Sequence, residues 1–308
     1  MTGHRLQEER KLRKARRAKK VRCRENSQCR SLSCHLPFPH LLFLAPAFPV
    51  TCDLPPDLSL TLMIRFLRSF DPHRIRLLVF DLDGTLIDSR LDLIHSVNAT
   101  LHHLGRPALD GDVIASYVGD GAPALLRRAL NADTDRNNEA LLPRALEYFL
   151  GYYRLHKLDH TTLYEGVPET LAELARPSNG NPAIRPPRQM AILTNKPVRA
   201  SRDIITALGL GDFFVNVYGG NSFPTKKPDP LGVETILKET GARPEESLMI
   251  GDSAVDVMTG RNAGLWTCGV TYGFAPQTLE STPPDVLIES PRELGELLQT
   301  TPNGEART

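Results

Sequence analysis

The feature that most constrains this chain is a short apolar run that ends in acids. Leu77-Leu78-Val79-Phe80 leads directly into Asp81-Leu82-Asp83-Gly84-Thr85. Four apolar residues without alternation read as a strand buried on both faces, the pattern of parallel sheets covered by helices. In such sheets ligands sit beyond the carboxyl ends of the strands, which is where Asp81 and Asp83 fall. Acids at i and i+2 share a face of a strand, and a loop that departs at Asp81 lets both reach one centre. Gly84 suits that departure, because tight turns often need positive φ. Taken alone, the same residues also fit a strand followed by a solvated Asp-Gly turn.

The rest of the chain favours the first reading. A helix is expected from Ser89, with Leu91, Ile94, Val97, Leu101 and Leu104 at helical spacing and Gly105 as its stop. Residues 111–160 read as helix almost throughout, so the block 91–161 looks inserted after the first strand. Beyond Pro168 a helix over 168–175 and a Pro/Gly/Asn-rich loop over 176–188 precede a regular alternation. Strands are expected over 190–194, 214–218, 248–252, 267–270 and 286–288, and helices over 200–208, 231–240, 255–263 and 294–298. That alternation implies an α/β fold with a parallel sheet and right-handed crossovers.

Composition adds limits. The 308 residues are 41% hydrophobic and 24% charged, ordinary for one large or two modest globular domains. Charge is uneven: 12 of the 37 Lys/Arg but 3 of the 36 Asp/Glu lie in residues 1–30. Such a head reads either as an arm for nucleic acid or an anionic surface, or as a disordered, dispensable extension preceding a natural start at Met63. The apolar run 36–50 is broken by Pro37, Pro39, Pro46 and Pro49. It is also shorter than the ~20 residues a membrane helix needs, so no membrane partner is expected. Five cysteines, none in a C-x-x-C pair, do not suggest a disulfide framework and point to a reducing, cytoplasmic setting. Zinc ligation by Cys23, Cys29, Cys34 and His35 would need irregular spacings. Residues 1–70 and 301–308 are therefore expected to be disordered.

Three more strand ends carry polar groups. Thr194-Asn195 follows Ile192-Leu193 and offers a hydroxyl and an amide, suited to phosphate oxygens or to capping the next helix. Lys227, before Pro228-Asp229-Pro230, is a cation on a restricted backbone, apt for an anion or simply a solvated loop. Gly251-Asp252-Ser253-Ala254-Val255-Asp256 ends a strand in one acid with a second a helical turn on. Oxygen ligands of that kind suit Mg²⁺; Asp252 could instead cap the helix. In a parallel sheet all four ends converge on one edge.

Together these segments resemble the four motifs of the haloacid dehalogenase superfamily of phosphatases: Asp81-Leu82-Asp83-Gly84-Thr85, Thr194-Asn195, Lys227-Pro228-Asp229-Pro230, and Gly251 to Asp256. The helical insertion resembles that superfamily's cap. Val118-Gly119-Asp120-Gly121, Leu193-Thr194-Asn195-Lys196-Pro197, Gly219-Gly220-Asn221 and Val270-Thr271-Tyr272-Gly273 resemble its phosphoglycolate phosphatase group. The match covers about 75–295; the head and the long loop 176–188 depart from it. The resemblance implies a Rossmann-like doubly wound parallel sheet over 71–90 and 162–300 with a helical cap over 91–161. It implies a nucleophile at Asp81 and an acid/base at Asp83. Mg²⁺ would lie between Asp81, Asp252 and the backbone carbonyl of Asp83, supported by Asp256. Gly84, Thr85, Thr194, Asn195 and Lys227 would bind the substrate phosphate. The substrate implied is a small phosphorylated metabolite, 2-phosphoglycolate first, with sugar phosphates, nucleotides, pyrophosphate or phosphomutase chemistry as alternatives. Arg127, Arg128, Arg154 and Lys157 are the cap cations that a carboxylated substrate would need. Nucleic acid is not expected as a partner, although a scaffold using the basic head is the non-enzymatic alternative. A monomer or homodimer is expected.

Overall fold

The structure, a computed structural model, describes residues 64–67, 71–131, 138–177 and 187–299. The basic head, the candidate zinc residues, the 301–308 tail and most of the 176–188 loop lie outside the described residues. The strands are β1 (Arg65–Phe66), β2 (Leu77–Phe80), β3 (Ile87–Asp88), β4 (Thr162–Leu163), β5 (Gln189–Leu193), β6 (Asn216–Tyr218), β7 (Ser247–Gly251), β8 (Trp266–Val270) and β9 (Val286–Ile288). The helices are α1 (Arg90–His103), α2 (Gly111–Ala115), α3 (Ala122–Asn131), α4 (Asn138–His156), α5 (Val167–Leu174), α6 (Val198–Ala207), α7 (Leu231–Thr240), α8 (Ala254–Asn262) and α9 (Pro291–Gln299).

Seven strands form one sheet in the order β1-β9-β8-β7-β2-β5-β6. The apolar run that opens the fold, β2, lies between β5 and β7 and pairs in parallel with both. Its side chains alternate between two cores. Leu78 and Phe80 pack with Leu171, Ile205 and Leu294, whereas Leu77 and Val79 pack with Val233, Ile236 and Leu265. A strand so enclosed has no polar face, which is why its sequence is apolar throughout. From β2 the chain builds outward through β5 and β6, then returns to the other side of β2 for β7, β8 and β9. The carboxyl ends of β2 and β7 therefore meet where the strand order reverses, the place such sheets bind ligands.

Two features differ from the sequence reading. The sheet reaches back into the segment assigned to the extension: β1 pairs antiparallel with β9 at the edge. A two-residue strand leaves no periodicity to detect. Second, α1 turns inward at four of the five expected positions, Ile94, Val97, Leu101 and Leu104, but not at Leu91. Leu91 is 53% exposed, and Leu93, Val97 and Leu101 are buried together with Asp92, Ser96 and Thr100. The two hydroxyls are satisfied inside the helix, Ser96 Oγ donating to Asp92 O and Thr100 Oγ1 to Ser96 O, 2.7 Å each. Burial without a penalty for an unmet hydrogen bond is thus open to them.

Helices α1 to α4 share an apolar cluster of their own, centred on Val97, Leu101, Leu126, Ala145 and Phe149. The chain enters this block through β3 and leaves it through β4, which pair antiparallel as a separate two-stranded ribbon. Asp92 braces the crossing. Its buried carboxylate accepts from Thr161 Oγ1 (2.7 Å), Thr161 N (2.8 Å) and His160 N (3.0 Å). Removing it strands several buried donors, so Asp92→Ala should cost about 3 kcal/mol in urea unfolding. The exposed Leu91→Ala should stay within about 0.5 kcal/mol; equal effects would contradict the brace.

Candidate active site

The site is built where β2 and β7 end. Asp81 is the first residue after β2, and its N–H donates to Ile250 O across the sheet at 2.9 Å, which fixes the chain as it leaves. Lys227 reaches in from the loop before α7 and is only 4% exposed. Its Nζ lies 2.8 Å from Asp81 Oδ1 and 2.6 Å from Asp256 Oδ1. Asp256 also closes the start of α8, its Oδ2 accepting from Ser253 Oγ (2.6 Å) and Ser253 N (3.2 Å). The helix is thus capped by Ser253 and Asp256, not by Asp252. Asp252 instead accepts the backbone N–H groups of Phe274 (2.5 Å) and Ala275 (3.1 Å) on its Oδ2. Two glycines admit it. A Cβ on Gly84 (φ +83°) would collide with Asp252 Oδ2, and one on Gly273 with Asp252 Cβ. Gly84 thus serves close packing as well as the turn.

Carboxylate oxygens of Asp81, Asp252 and Asp256 lie within 4.8 Å of one another. Among the described residues Lys227 is the one cation in hydrogen-bonding reach of these acids. Burial pushes Asp81 up to about 6, against the pull of Lys227. Burial, with Asp256 and Asp81 adding repulsion, pushes Asp252 up to about 8. Asp81 Oδ1, although close to Lys227 Nζ, makes no hydrogen bond, so it keeps a lone pair for another partner. The cluster is short of positive charge and offers hard oxygen donors, and a Mg²⁺ ion fits both needs. The Asp83 carboxylate stands apart from the cluster. It accepts from Ser89 Oγ (2.5 Å) and from Lys196 Nζ on both oxygens (2.8 and 2.9 Å). Toward a metal Asp83 has its main-chain carbonyl to offer.

Thr194 follows β5; its N–H donates to Tyr218 O (3.0 Å) and its Oγ1 accepts from Lys196 N (3.3 Å). The N-cap of α6 is Pro197, so capping is not what Thr194 does. Asn195 Nδ2 donates to Gly119 O (3.0 Å) and Lys227 O (3.2 Å), tying the helical insertion to the lysine loop. Asp81, Asp83, Thr194 and Asn195 line one open cavity. Thr85 does not. It is buried, its carbonyl accepts from Tyr272 Oη at 3.0 Å, and it faces a small internal cavity beside Phe80 and Leu294. Gly84 is not among the residues lining that cavity either; it packs against Asp252 at the acid cluster.

The insertion supplies an apolar wall of Leu93, Ala122, Leu125 and Phe149, plus Tyr153. None of the four cap cations named from sequence lines the cavity. Arg127 pairs with Glu139 (2.7 Å), Arg128 with Asp120, and Lys157 with Asp203 (3.3 Å), while Arg154 is exposed. The cation in the cavity wall is Lys196. Sequence reasoning quoted it within the Leu193 to Pro197 string but gave it no role, although it directly follows the Thr194-Asn195 strand end.

A family profile described as haloacid dehalogenase-like hydrolase matches residues 78–270. A phosphoglycolate phosphatase of Vibrio vulnificus is 36% identical over 228 residues, spanning 72% of this chain and 95% of the relative. One of Chromobacterium violaceum is 38% identical over 228 residues, spanning 73% and 97%. The crystal structure of a predicted phosphoglycolate phosphatase from Haemophilus somnus 129PT superposes with a TM-score of 0.67 at 28% identity, covering 73% of this chain and 99% of that one. The parallel sheet, the acids at its switch point and a match running from β2 to β8 agree: the chain belongs to the haloacid dehalogenase-like hydrolases.

Proposed function

We propose that the protein is a Mg²⁺-dependent phosphomonoester hydrolase with Asp81 as nucleophile and 2-phosphoglycolate as substrate. The observation that carries the chemistry is the arrangement of buried acids at the ends of adjacent strands, with Lys227 on Asp81. The substrate is supported by relatives that carry the name phosphoglycolate phosphatase and are matched over nearly their whole length. Residues 71–90 and 162–300 are the catalytic core in this reading, and 91–161 the cap. Asp81, Asp252 and the Asp83 carbonyl would hold the metal, which when bound supplies positive charge against the phosphate. The Asp81 carboxylate attacks phosphorus and forms an aspartyl-phosphate. Lys227 Nζ and Thr194 Oγ1 hold phosphoryl oxygens in line for attack. Asp83, fixed by Ser89 and Lys196, passes a proton to the leaving alkoxide and then takes one from the water that hydrolyses the intermediate. Asp256 and Asn195 keep Lys227 in place. A cytoplasmic setting accords with the sparse cysteines. Among the described residues no helix is long and apolar enough to cross a membrane.

Asp81→Asn should lower phosphate release by ~10³-fold or more while circular dichroism stays that of the parent; near-parental turnover would end the assignment. EDTA should silence the enzyme and added Mg²⁺ restore it, so full activity after chelation would remove the metal from the scheme. Across 2-phosphoglycolate, sugar phosphates, nucleotides and pyrophosphate, the first should give the highest kcat/KM. Equal rates would leave a phosphatase without that specificity.

A further inference from the structure

We propose that Lys196 and Tyr153 form a subsite for a short carboxylate tail on the substrate, in the cavity that Asp81 and Asp83 also line. The inference rests on the phosphatase reading and adds to it the residues that select the substrate. Lys196 is 5% exposed and Tyr153 2% exposed, and both line the cavity that holds Asp81. They come from the two sides of it, Lys196 from the strand end after β5 and Tyr153 from α4 of the insertion. The ammonium lies 4.8 Å from the centre of the Tyr153 ring, an attraction that strengthens where water is excluded.

Three facts give this corner its chemistry. The Tyr153 hydroxyl is buried and makes no hydrogen bond, a standing cost that a ligand would relieve. Burial pushes its ionisation up to about 12, so at neutral pH it carries its proton and can donate it. Lys196 has three donors, and the two oxygens of Asp83 account for two. The buried ammonium, lying against the Tyr153 ring, and the tyrosine O–H thus place a cation and a donor side by side, the need of a carboxylate. The rest of the insertion wall is apolar, so Tyr153 is its one polar side chain among the residues lining the cavity. A methylene beside the carboxylate would meet Leu125 and Phe149. The competing chemistry is a hydroxylated tail, which would turn to an unmatched acceptor in the wall, Asn195 Oδ1.

The test compares kcat/KM for 2-phosphoglycolate, ethyl phosphate, which lacks the carboxylate, and glycerol 3-phosphate, which replaces it with hydroxyls. p-Nitrophenyl phosphate serves as a substrate without any tail. The parent should prefer 2-phosphoglycolate over ethyl phosphate. Lys196→Met and Tyr153→Phe should each lower that ratio by about tenfold or more, chiefly through KM. Tyr153→Phe keeps the ring under the ammonium, so it isolates the hydroxyl and guards against a misfolded Lys196→Met. A ratio within about twofold of the parent in both variants overturns the subsite. So does a parental ratio near one, or a parental preference for glycerol 3-phosphate, provided that p-nitrophenyl phosphate is turned over. No release from any of the four substrates overturns the phosphatase reading itself, and this inference with it.

Discussion

The structure depends on one buried ammonium. Lys227 Nζ lies between Asp81 and Asp256, each within 2.8 Å, and all three residues are out of solvent. Burial alone would lower the lysine's affinity for its proton; Asp256 and then Asp81 more than reverse this and raise it well above the usual lysine range. Breaking such a cluster from one side typically costs about 3–5 kcal/mol, because it leaves a charge buried without its partner. The contact joins the end of β2, the loop before α7 and the first turn of α8. These three segments have no shared secondary structure, so the charge contact holds them where the sheet brings them.

That arrangement separates the two acids of the opening motif. Asp81 faces Lys227, Asp252 and Asp256, whereas Asp83, two residues on, faces Lys196 and Ser89. On a regular strand they would share a face. The chain leaves the sheet at Asp81 and turns through Gly84, which sends the two carboxylates to different cations. One acid stays beside Lys227 among the other acids while its neighbour in the motif is held by Lys196 and Ser89.

Much of this was legible in the sequence because it follows from burial. A strand enclosed on both faces must be apolar from end to end, so Leu77 to Phe80 announced both the sheet and its place in it. The acids, Thr194 and Lys227 stood out because polar residues at the ends of such strands have few other places to go. What was not legible depends on direction more than on type. Arg127 and Arg128 lie on α3 and Lys157 just past the end of α4, where direction toward the cavity cannot be read from spacing, and each instead meets a nearby acid. In α1, Ser96 and Thr100 are buried because each bonds the turn before it, so the apolar spacing, right for Val97 and Leu101, did not announce these two on the inward face. Lys196 was hidden by its neighbours, since Thr194 and Asn195 already gave that strand end a purpose.

The Asn195 side chain has a consequence for motion. Its amide nitrogen bonds Gly119 O in the insertion and Lys227 O in the core, while the chain enters and leaves the insertion through the β3–β4 ribbon that Asp92 secures. The helical block is therefore attached like a door, with the ribbon as hinge and the asparagine amide as catch. The catch shares its residues with the machinery, because Asn195 adjoins Thr194 and grips the main chain of Lys227. A contact of the insertion with Asn195 is thus one bond away from the peptide that carries the central ammonium, which places the wall of the cavity and the charged centre on a single side chain.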